Sequence, residues 1–100
     1  MGQGRPMPVR FYMLRLESGA LYPGATSDLP GRWQEHVDGT ACRTTRLDQP
    51  VAIVYSEEHP TFADARRREA QVKRWTRAKK EALARGDVQR LKDLSQRRRR

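Results

Sequence analysis

The sequence predicts a small α/β (α+β) domain in which helices flank a three-stranded, mainly antiparallel sheet. Three short segments rich in β-forming residues, at residues 9–16, 20–25 and 51–55, predict the strands. Capping residues followed by amphipathic segments predict helices after the second and third strands. At 100 residues, the chain is long enough for one domain with a modest core and a shallow surface site.

The three strand segments favour different positions in the sheet. The first, VRFYMLRL, has apolar residues on both faces, as a central strand of a covered sheet has. In the second, Pro23 has no N–H to donate to a neighbouring strand, so we expect that side of the strand to be an edge or to end its pairing early. The third, PVAIVYS at residues 50–56, is continuously apolar, and we expect it to be buried.

The turn between the first two strands decides whether two tyrosines share a face of the sheet. A two-residue loop would pair Arg15 with Tyr22 and would put Tyr22 on the opposite face from Tyr12. A three-residue loop over residues 17–19 would pair Leu14 with Tyr22, so that the two tyrosines share a face. We favour the three-residue loop, because its last residue is a glycine and that position needs a left-handed conformation.

Capping residues bound four predicted helices. Gly39 and Gly86 end the first and third helices, and the second runs to about Trp75. A short last helix opens at residue 87, with apolar residues at helical spacing. The four helices begin at Asp28, Thr61, Thr76 and Asp87.

Two polar residues border the apolar face of the first predicted helix. Leu29, Trp33 and Val37 share that face, and Arg32 and His36 lie side by side along its border. An arginine or a histidine beside an apolar face commonly serves packing alone. Placed one turn apart, however, the two side chains could also contact one phosphate group.

A glutamate interrupts the predicted core stripe of the second helix. Glu69 lies within this stripe, where a carboxylate is costly unless it is paired or bound to a cation. Arg66 and Lys73 flank it at i−3 and i+4, so either an intrahelical ion pair or a metal could satisfy it. The predicted stripe consists of Phe62, Ala65 and Val72.

The charge of the chain predicts a polyanionic partner. Lysine and arginine total 21 against 12 acidic residues, which gives a formal charge of +9 and a pI near 10.8. Such an excess is typical of proteins that bind a phosphate backbone, and also of basic proteins that bind polyanions without specificity. The predicted nucleic-acid-binding residues are Arg43, Arg66, Arg67, Lys73, Arg74, Arg77, Lys79 and Lys80.

Other features restrict the class of protein. Cys42 is the only cysteine, so thiols can build no intrachain disulfide, zinc site or redox pair, and we expect it to be a small buried or half-buried residue. No apolar run is long enough to span a membrane, and we expect a cytoplasmic monomer. The expected organisation is a disordered arm at residues 1–8, a domain at 9–95 and a basic disordered tail at 96–100.

Three segments together resemble the GIY-YIG nuclease superfamily, in particular its small single-domain bacterial members. They are FYMLRLESGALYPGATSDLPGRWQEH, VAIVYSEEHPT and RRREAQVKRWTRAKKEAL. The motif of that family has a tyrosine in its first half, a tyrosine and a glycine in its second half, an arginine and a histidine on the next helix, and a later metal-binding glutamate. The matching residues here are Tyr12, Tyr22, Gly24, Arg32, His36 and Glu69.

The sequence also departs from the family motif. Arg10 and Phe11 replace the glycine and isoleucine of the first half-motif, and Pro23 replaces the middle residue of the second. Where small bacterial members often have Lys-Tyr-Thr, this chain has Arg-Thr-Thr at residues 43–45. These departures leave the six matching positions intact.

The resemblance implies a metal-dependent endonuclease that hydrolyses phosphodiester bonds of DNA, with branched or damaged structures among the candidate substrates. Glu69 would hold Mg²⁺ or Mn²⁺, and Arg32 would stabilise the charge of the transition state. Tyr12 would orient or deprotonate the attacking water, a role that Tyr22 or His36 could share. The alternatives are a noncatalytic nucleic-acid-binding module, which would have no use for Glu69, and a structural protein that docks to an acidic partner.

Overall fold

The computed structural model describes residues 8–97 and contains three strands and five helices. The sheet has the order β2-β1-β3, and both strand pairs are antiparallel, as predicted. The elements are β1 (Val9–Leu16), β2 (Leu21–Thr26), α1 (Leu29–Asp38), α2 (Arg43–Leu47), β3 (Pro50–His59), α3 (Phe62–Lys73), α4 (Arg77–Arg85) and α5 (Val88–Arg97). None of the helices within residues 8–97 is long and apolar enough to span a bilayer.

The β1–β2 turn is the predicted three-residue loop. Leu14 pairs with Tyr22 in the antiparallel ladder, and Gly19 has a φ of 93°. The N–H of Leu16 donates to the carbonyl oxygen of Ala20 at 2.9 Å, which closes the loop. The prediction that the two strands pair in this register is therefore confirmed.

Alternate residues of β1 point into two separate apolar layers. On one face, Phe11 and Met13 pack with Val72 of α3 and Leu83 of α4. On the other face, the buried residues of β1 pack with Tyr22 and with the apolar side of α1. The residues of β1 in this second layer are Tyr12, Leu14 and Leu16, and those of α1 are Leu29 and Trp33. The sheet is therefore covered on both sides at β1, which is the central strand as predicted.

The capping predictions hold for all four predicted helices. Each capping side chain accepts a hydrogen bond from a backbone N–H three residues later, at 3.0 to 3.2 Å, in the pairs Asp28–Gly31, Thr61–Asp64, Thr76–Lys79 and Asp87–Arg90. Gly39 and Gly86 end α1 and α4 in the left-handed conformation. Helix α5 continues to Arg97, so it includes the first two residues of the predicted tail.

The prediction that the third strand is buried was wrong. Strand β3 is an edge strand, and Val51 and Ile53 are 59% and 38% exposed. Because β1 occupies the centre, β3 lies beside the covering helices, and an open groove separates Ile53 from Leu29 and Trp33 of α1. Apolar content predicted a strand here but not its place in the sheet.

Two helix faces are also rotated from their predicted positions. Phe62 was predicted in the core stripe of α3 but is 45% exposed, because it lies in the first turn, where the Arg66 guanidinium stacks on its ring at 5.7 Å. Val37 was predicted on the apolar face of α1 but is exposed, whereas His36 is buried. The short helix α2 was not predicted. Residues 1–7 of the predicted arm and 98–100 of the predicted tail lie outside the described residues.

Candidate active site

Gly24 provides the space in which the Tyr12 ring lies. The two residues pair directly in the β1–β2 ladder. A Cβ atom at position 24 would come closer than 3.0 Å to Cζ and Oη of Tyr12. The phenol therefore lies against the backbone of β2, and a residue larger than glycine would displace it.

His36 links Tyr12 to the short helix α2. Its Nε2 lies 2.9 Å from Oη of Tyr12, and its Nδ1 lies 2.8 Å from Oγ1 of Thr45. All three side chains are buried, with exposed fractions of 3% for Tyr12, 2% for His36 and 0% for Thr45. This series of hydrogen-bonding groups, from Tyr12 through His36 to Thr45, therefore lies in the protein interior.

Tyr22 completes the cluster from the neighbouring strand. Its ring makes an edge contact with the His36 imidazole, with centroids 5.5 Å apart, and the Tyr12 ring makes a similar contact at 5.9 Å. The thiol of Cys42 donates to Oη of Tyr22 at 3.3 Å and lies 3.4 Å from Oγ1 of Thr45. Cys42 is half-buried, as expected, and His36 lies between the two tyrosines.

Two residues of opposite charge influence the tyrosines from different helices. Arg32 precedes His36 by one turn of α1, is partly exposed, and pairs with Glu35 at 3.2 Å. On α3, the Glu69 side chain is only 13% exposed and pairs with Arg66 at 3.5 Å and Lys73 at 3.0 Å, the two partners expected from the sequence. The charges of Arg32 and Glu69 both shift the pKa values of the two tyrosines, with opposite signs.

Comparison with known proteins identifies the family. Residues 9–82 match the model of the GIY-YIG catalytic domain. The chain belongs to the GIY-YIG family. It therefore contains a nuclease-type catalytic domain, a type that generally acts on nucleic acids and typically uses a divalent metal.

The similar proteins are bacterial members named UPF0213. One from Xanthomonas axonopodis pv. citri is 41% identical over 73 residues, which cover 73% of this chain and 72% of that protein. One from Bacillus pumilus is 39% identical over 71 residues, 71% of this chain and 72% of that protein. The solution NMR structure of the UPF0213 protein from Bacillus halodurans matches with a TM-score of 0.50 and 34% sequence identity. The match covers 77% of this chain and 82% of the Bacillus halodurans chain.

The protonation states within this GIY-YIG domain follow from burial and from the flanking charges. Burial raises the pKa of Tyr12 above its usual value of about 10, and the Arg32 charge offsets only part of this rise. Burial raises the pKa of Tyr22 to about 12. Burial and then the Arg32 charge lower the pKa of His36. At neutral pH both phenols are therefore protonated and the imidazole is neutral.

The acidity of Cys42 results from opposing effects. Burial raises the pKa of the thiol, but hydrogen bonds, first among them that with Thr45, favour the thiolate, and the net shift is downward. The contacts of this half-buried thiol place it within the polar network around His36.

Glu69 is the metal ligand that the resemblance implies, and its surroundings fit a hard cation. Within residues 8–97, no group of three or more His, Cys, Asp and Glu side chains is arranged to hold a metal. A single carboxylate suits Mg²⁺, which keeps several waters and takes further oxygens from its substrate. Arg66 and Lys73 are more than half exposed, so both can move away from the carboxylate when a cation binds.

The predicted nucleic-acid-binding residues divide into several groups. Lys79 does not fit the prediction, because it is buried and its ammonium lies 4.4 Å from the centre of the Trp75 ring. Arg43, Arg66 and Lys73 are exposed and adjoin Cys42 or Glu69. The remaining residues lie on the outer side of α3 or on α4. They are Arg67, Arg74, Arg77 and Lys80.

Sequence reasoning did not find Thr45 as part of the site. Its contact with His36 spans nine residues and depends on α2, which has only five residues and no amphipathic pattern to predict it. The departure from Lys-Tyr-Thr at residues 43–45 was the one signal near it. That comparison drew attention to a missing tyrosine and not to the threonine that remains.

The pKa of His36 provides a test of this electrostatic arrangement. In an NMR titration, the imidazole should protonate with a midpoint below about 6.5, the ordinary value for histidine, because burial and the Arg32 charge disfavour the imidazolium. Arg32→Gln should raise this midpoint, since it removes the repelling charge. Glu35→Gln should lower it, since the carboxylate of Glu35 favours protonation. A wild-type midpoint above 6.5, or an Arg32→Gln variant with an unchanged midpoint, would contradict the arrangement.

Proposed function

We propose that this chain is a metal-dependent endonuclease that hydrolyses phosphodiester bonds of DNA. The observation that supports this best is the contact between Tyr12 and His36. A protonated phenol and a neutral imidazole are 2.9 Å apart, next to a second tyrosine, and the charges of Arg32 and of the half-buried Glu69 both act on the phenol. This combination offers a proton acceptor, a cation and a metal ligand around one position.

In the proposed reaction, Tyr12 relays a proton to His36. Oη of Tyr12 accepts a proton from the attacking water while its own proton moves to Nε2 of His36. The phenol then carries no net charge after the transfer, which suits a group whose pKa is raised. The imidazole is the final acceptor, because its lowered pKa keeps it neutral and able to accept at neutral pH.

Tyr22 and Arg32 would act on the phosphate itself. The hydroxyl of Tyr22 receives the Cys42 thiol hydrogen, which leaves its own hydrogen available for a phosphate oxygen. The guanidinium of Arg32 is partly exposed and pairs with the exposed Glu35, so a phosphate can replace that carboxylate. Its planar fork of donors can then stabilise the additional negative charge of the transition state.

Glu69 is the proposed ligand of Mg²⁺, with Mn²⁺ as the alternative. A bound ion of this kind supplies Lewis-acid stabilisation of a phosphate oxygen. Arg66 and Lys73, which pair with the carboxylate in the structure, would turn to the phosphates of the substrate when the ion binds. A carboxylate in this position has a clear use in a nuclease, whereas in a noncatalytic binding module it would repel the phosphate backbone.

The exposed cations near the cluster are the proposed contacts for DNA. Arg43 is at the beginning of α2, directly after Cys42, while Arg66 and Lys73 flank Glu69. With a net charge of +9, the chain would bind DNA with an affinity that falls as salt rises.

A Glu69→Gln variant tests the metal site. This change keeps the shape of the side chain but removes its charge, so Mg²⁺-dependent nicking of plasmid or branched DNA should be abolished. The affinity for DNA should stay equal or increase, because a negative charge has been removed. Asp64→Asn is the matched control: it removes a carboxylate from the exposed first turn of the same helix and should leave cleavage unchanged. Wild-type cleavage by Glu69→Gln would rule out the assignment.

Variants of Arg32 separate catalysis from binding. Both Arg32→Ala and Arg32→Lys should reduce the turnover number by roughly 10²-fold or more, because lysine keeps the charge but not the fork of donors. Affinity for DNA should change little. As a control, Arg43→Ala, which removes a proposed DNA contact, should weaken binding modestly and lower its salt dependence by about one charge unit, with turnover unchanged. An Arg32→Lys variant with wild-type turnover would eliminate the proposed role.

A further inference from the structure

We infer that Thr45 is a positioning residue that holds His36 in the tautomer with its hydrogen on Nδ1. The consequence for catalysis rests on the proposed function, whereas the tautomer itself does not. A neutral imidazole has one N–H and one bare nitrogen, so the partner of one nitrogen decides what the other can do. His36 has both nitrogens within hydrogen-bond distance of buried hydroxyl groups.

Two tautomers fit these distances equally well when His36 is considered alone. With the hydrogen on Nδ1, His36 donates to Thr45 and its Nε2 accepts from Tyr12. With the hydrogen on Nε2, the directions reverse, and His36 donates to Tyr12 and accepts from Thr45. In the second case Nε2 could not take a proton from Tyr12, and the proposed relay would fail.

The neighbouring thiol decides between the two tautomers. The single hydrogen of the Cys42 thiol is donated to Oη of Tyr22, so the sulfur can only accept from Oγ1 of Thr45. If Cys42 ionises, the sulfur again can only accept. In both states the one hydroxyl hydrogen of Thr45 points to the sulfur.

It follows that Thr45 has only an acceptor to offer His36. Nδ1 must therefore carry the imidazole hydrogen and donate it to Oγ1 of Thr45 at 2.8 Å. Nε2 is then bare and accepts from Oη of Tyr12 at 2.9 Å. One continuous series of hydrogen bonds runs from Tyr12 through His36, Thr45 and Cys42 to Tyr22, and each group donates once.

Packing alone does not require a hydroxyl at this position. Thr45 is fully buried, and valine has nearly the same shape, so an apolar residue would fill the same space. The hydroxyl lies between the imidazole and the thiol, the two groups whose hydrogens it orders. The polar function of Thr45 is therefore separable from its packing by substitution.

Nitrogen-15 NMR of the imidazole tests the inference without any assay of activity. The wild-type protein above the pKa of His36 should show a protonated Nδ1 and an unprotonated Nε2. Thr45→Val should populate the tautomer with the hydrogen on Nε2, because Nδ1–H would lose its acceptor. Thr45→Ser should restore the wild-type spectrum, and Thr44→Val, which removes the hydroxyl of the exposed neighbouring threonine, should not alter it.

Cys42→Ala is a second change, at a less buried residue, that affects the hydrogen bond between Thr45 and His36. It removes the acceptor of the Thr45 hydroxyl, which can then turn towards His36, so both tautomers should appear. This variant keeps the test decisive if Thr45→Val does not fold. A wild-type imidazole protonated at Nε2, or a Thr45→Val or Cys42→Ala variant that keeps only the wild-type tautomer, would overturn the inference.

Kinetics then connect the tautomer to the proposed function. Thr45→Val should lower the turnover number by about 10- to 100-fold, the scale typical of residues that orient a functional histidine, with the affinity for DNA unchanged. Thr45→Ser should return turnover to within about 3-fold of wild type. If the tautomer changes as expected but the wild-type protein cleaves no DNA, the proposed function fails and the positioning role of Thr45 stands. If DNA is cleaved but Thr45→Val keeps the wild-type tautomer, the positioning role of Thr45 fails and the proposed function stands.

Discussion

The structure around the site depends on one buried hydrogen bond, between Oη of Tyr12 on the central strand and Nε2 of His36 on α1. Both groups are buried, Tyr12 in the layer with Leu14 and Trp33, so an unpaired hydroxyl or ring nitrogen would be costly there. The bond therefore fixes how α1 lies on the sheet. It also requires the glycine at position 24, because the Tyr12 ring occupies the space of a side chain there.

Burial of this pair has a chemical consequence as well as a structural one. It raises the pKa of Tyr12 and lowers that of His36, so each group stays neutral near pH 7, and a proton that Tyr12 passes to His36 must be replaced from the attacking water. Arg32 and Glu69 lie on two different helices, α1 and α3, where their charges remain partly exposed. The fold thus separates the neutral proton-transfer pair from the charged groups that would contact phosphate and metal.

The sequence predicted those parts that depend on local chemistry. Gly19 predicted the hairpin register, and the spacing around Glu69 predicted both of its ion pairs. Parts that depend on long-range packing were not predictable in this way. The apolar content of β3 does not indicate which strand is central, and the contact of Thr45 with His36 depends on a five-residue helix without a periodic pattern. The sequence predicted His36 at the border of the apolar face of its helix. In the structure it is buried against two tyrosines, at the centre of the polar cluster.

The most direct test of the central claim is single-turnover cleavage of plasmid or branched DNA by a Tyr12→Phe variant in the presence of Mg²⁺. This change removes only the hydroxyl that joins the attacking water to His36 and leaves the ring against Gly24. The account predicts that the cleavage rate falls by roughly 10²-fold or more, while DNA binding stays at the wild-type level. A Tyr12→Phe variant that cleaves at the wild-type rate would contradict it.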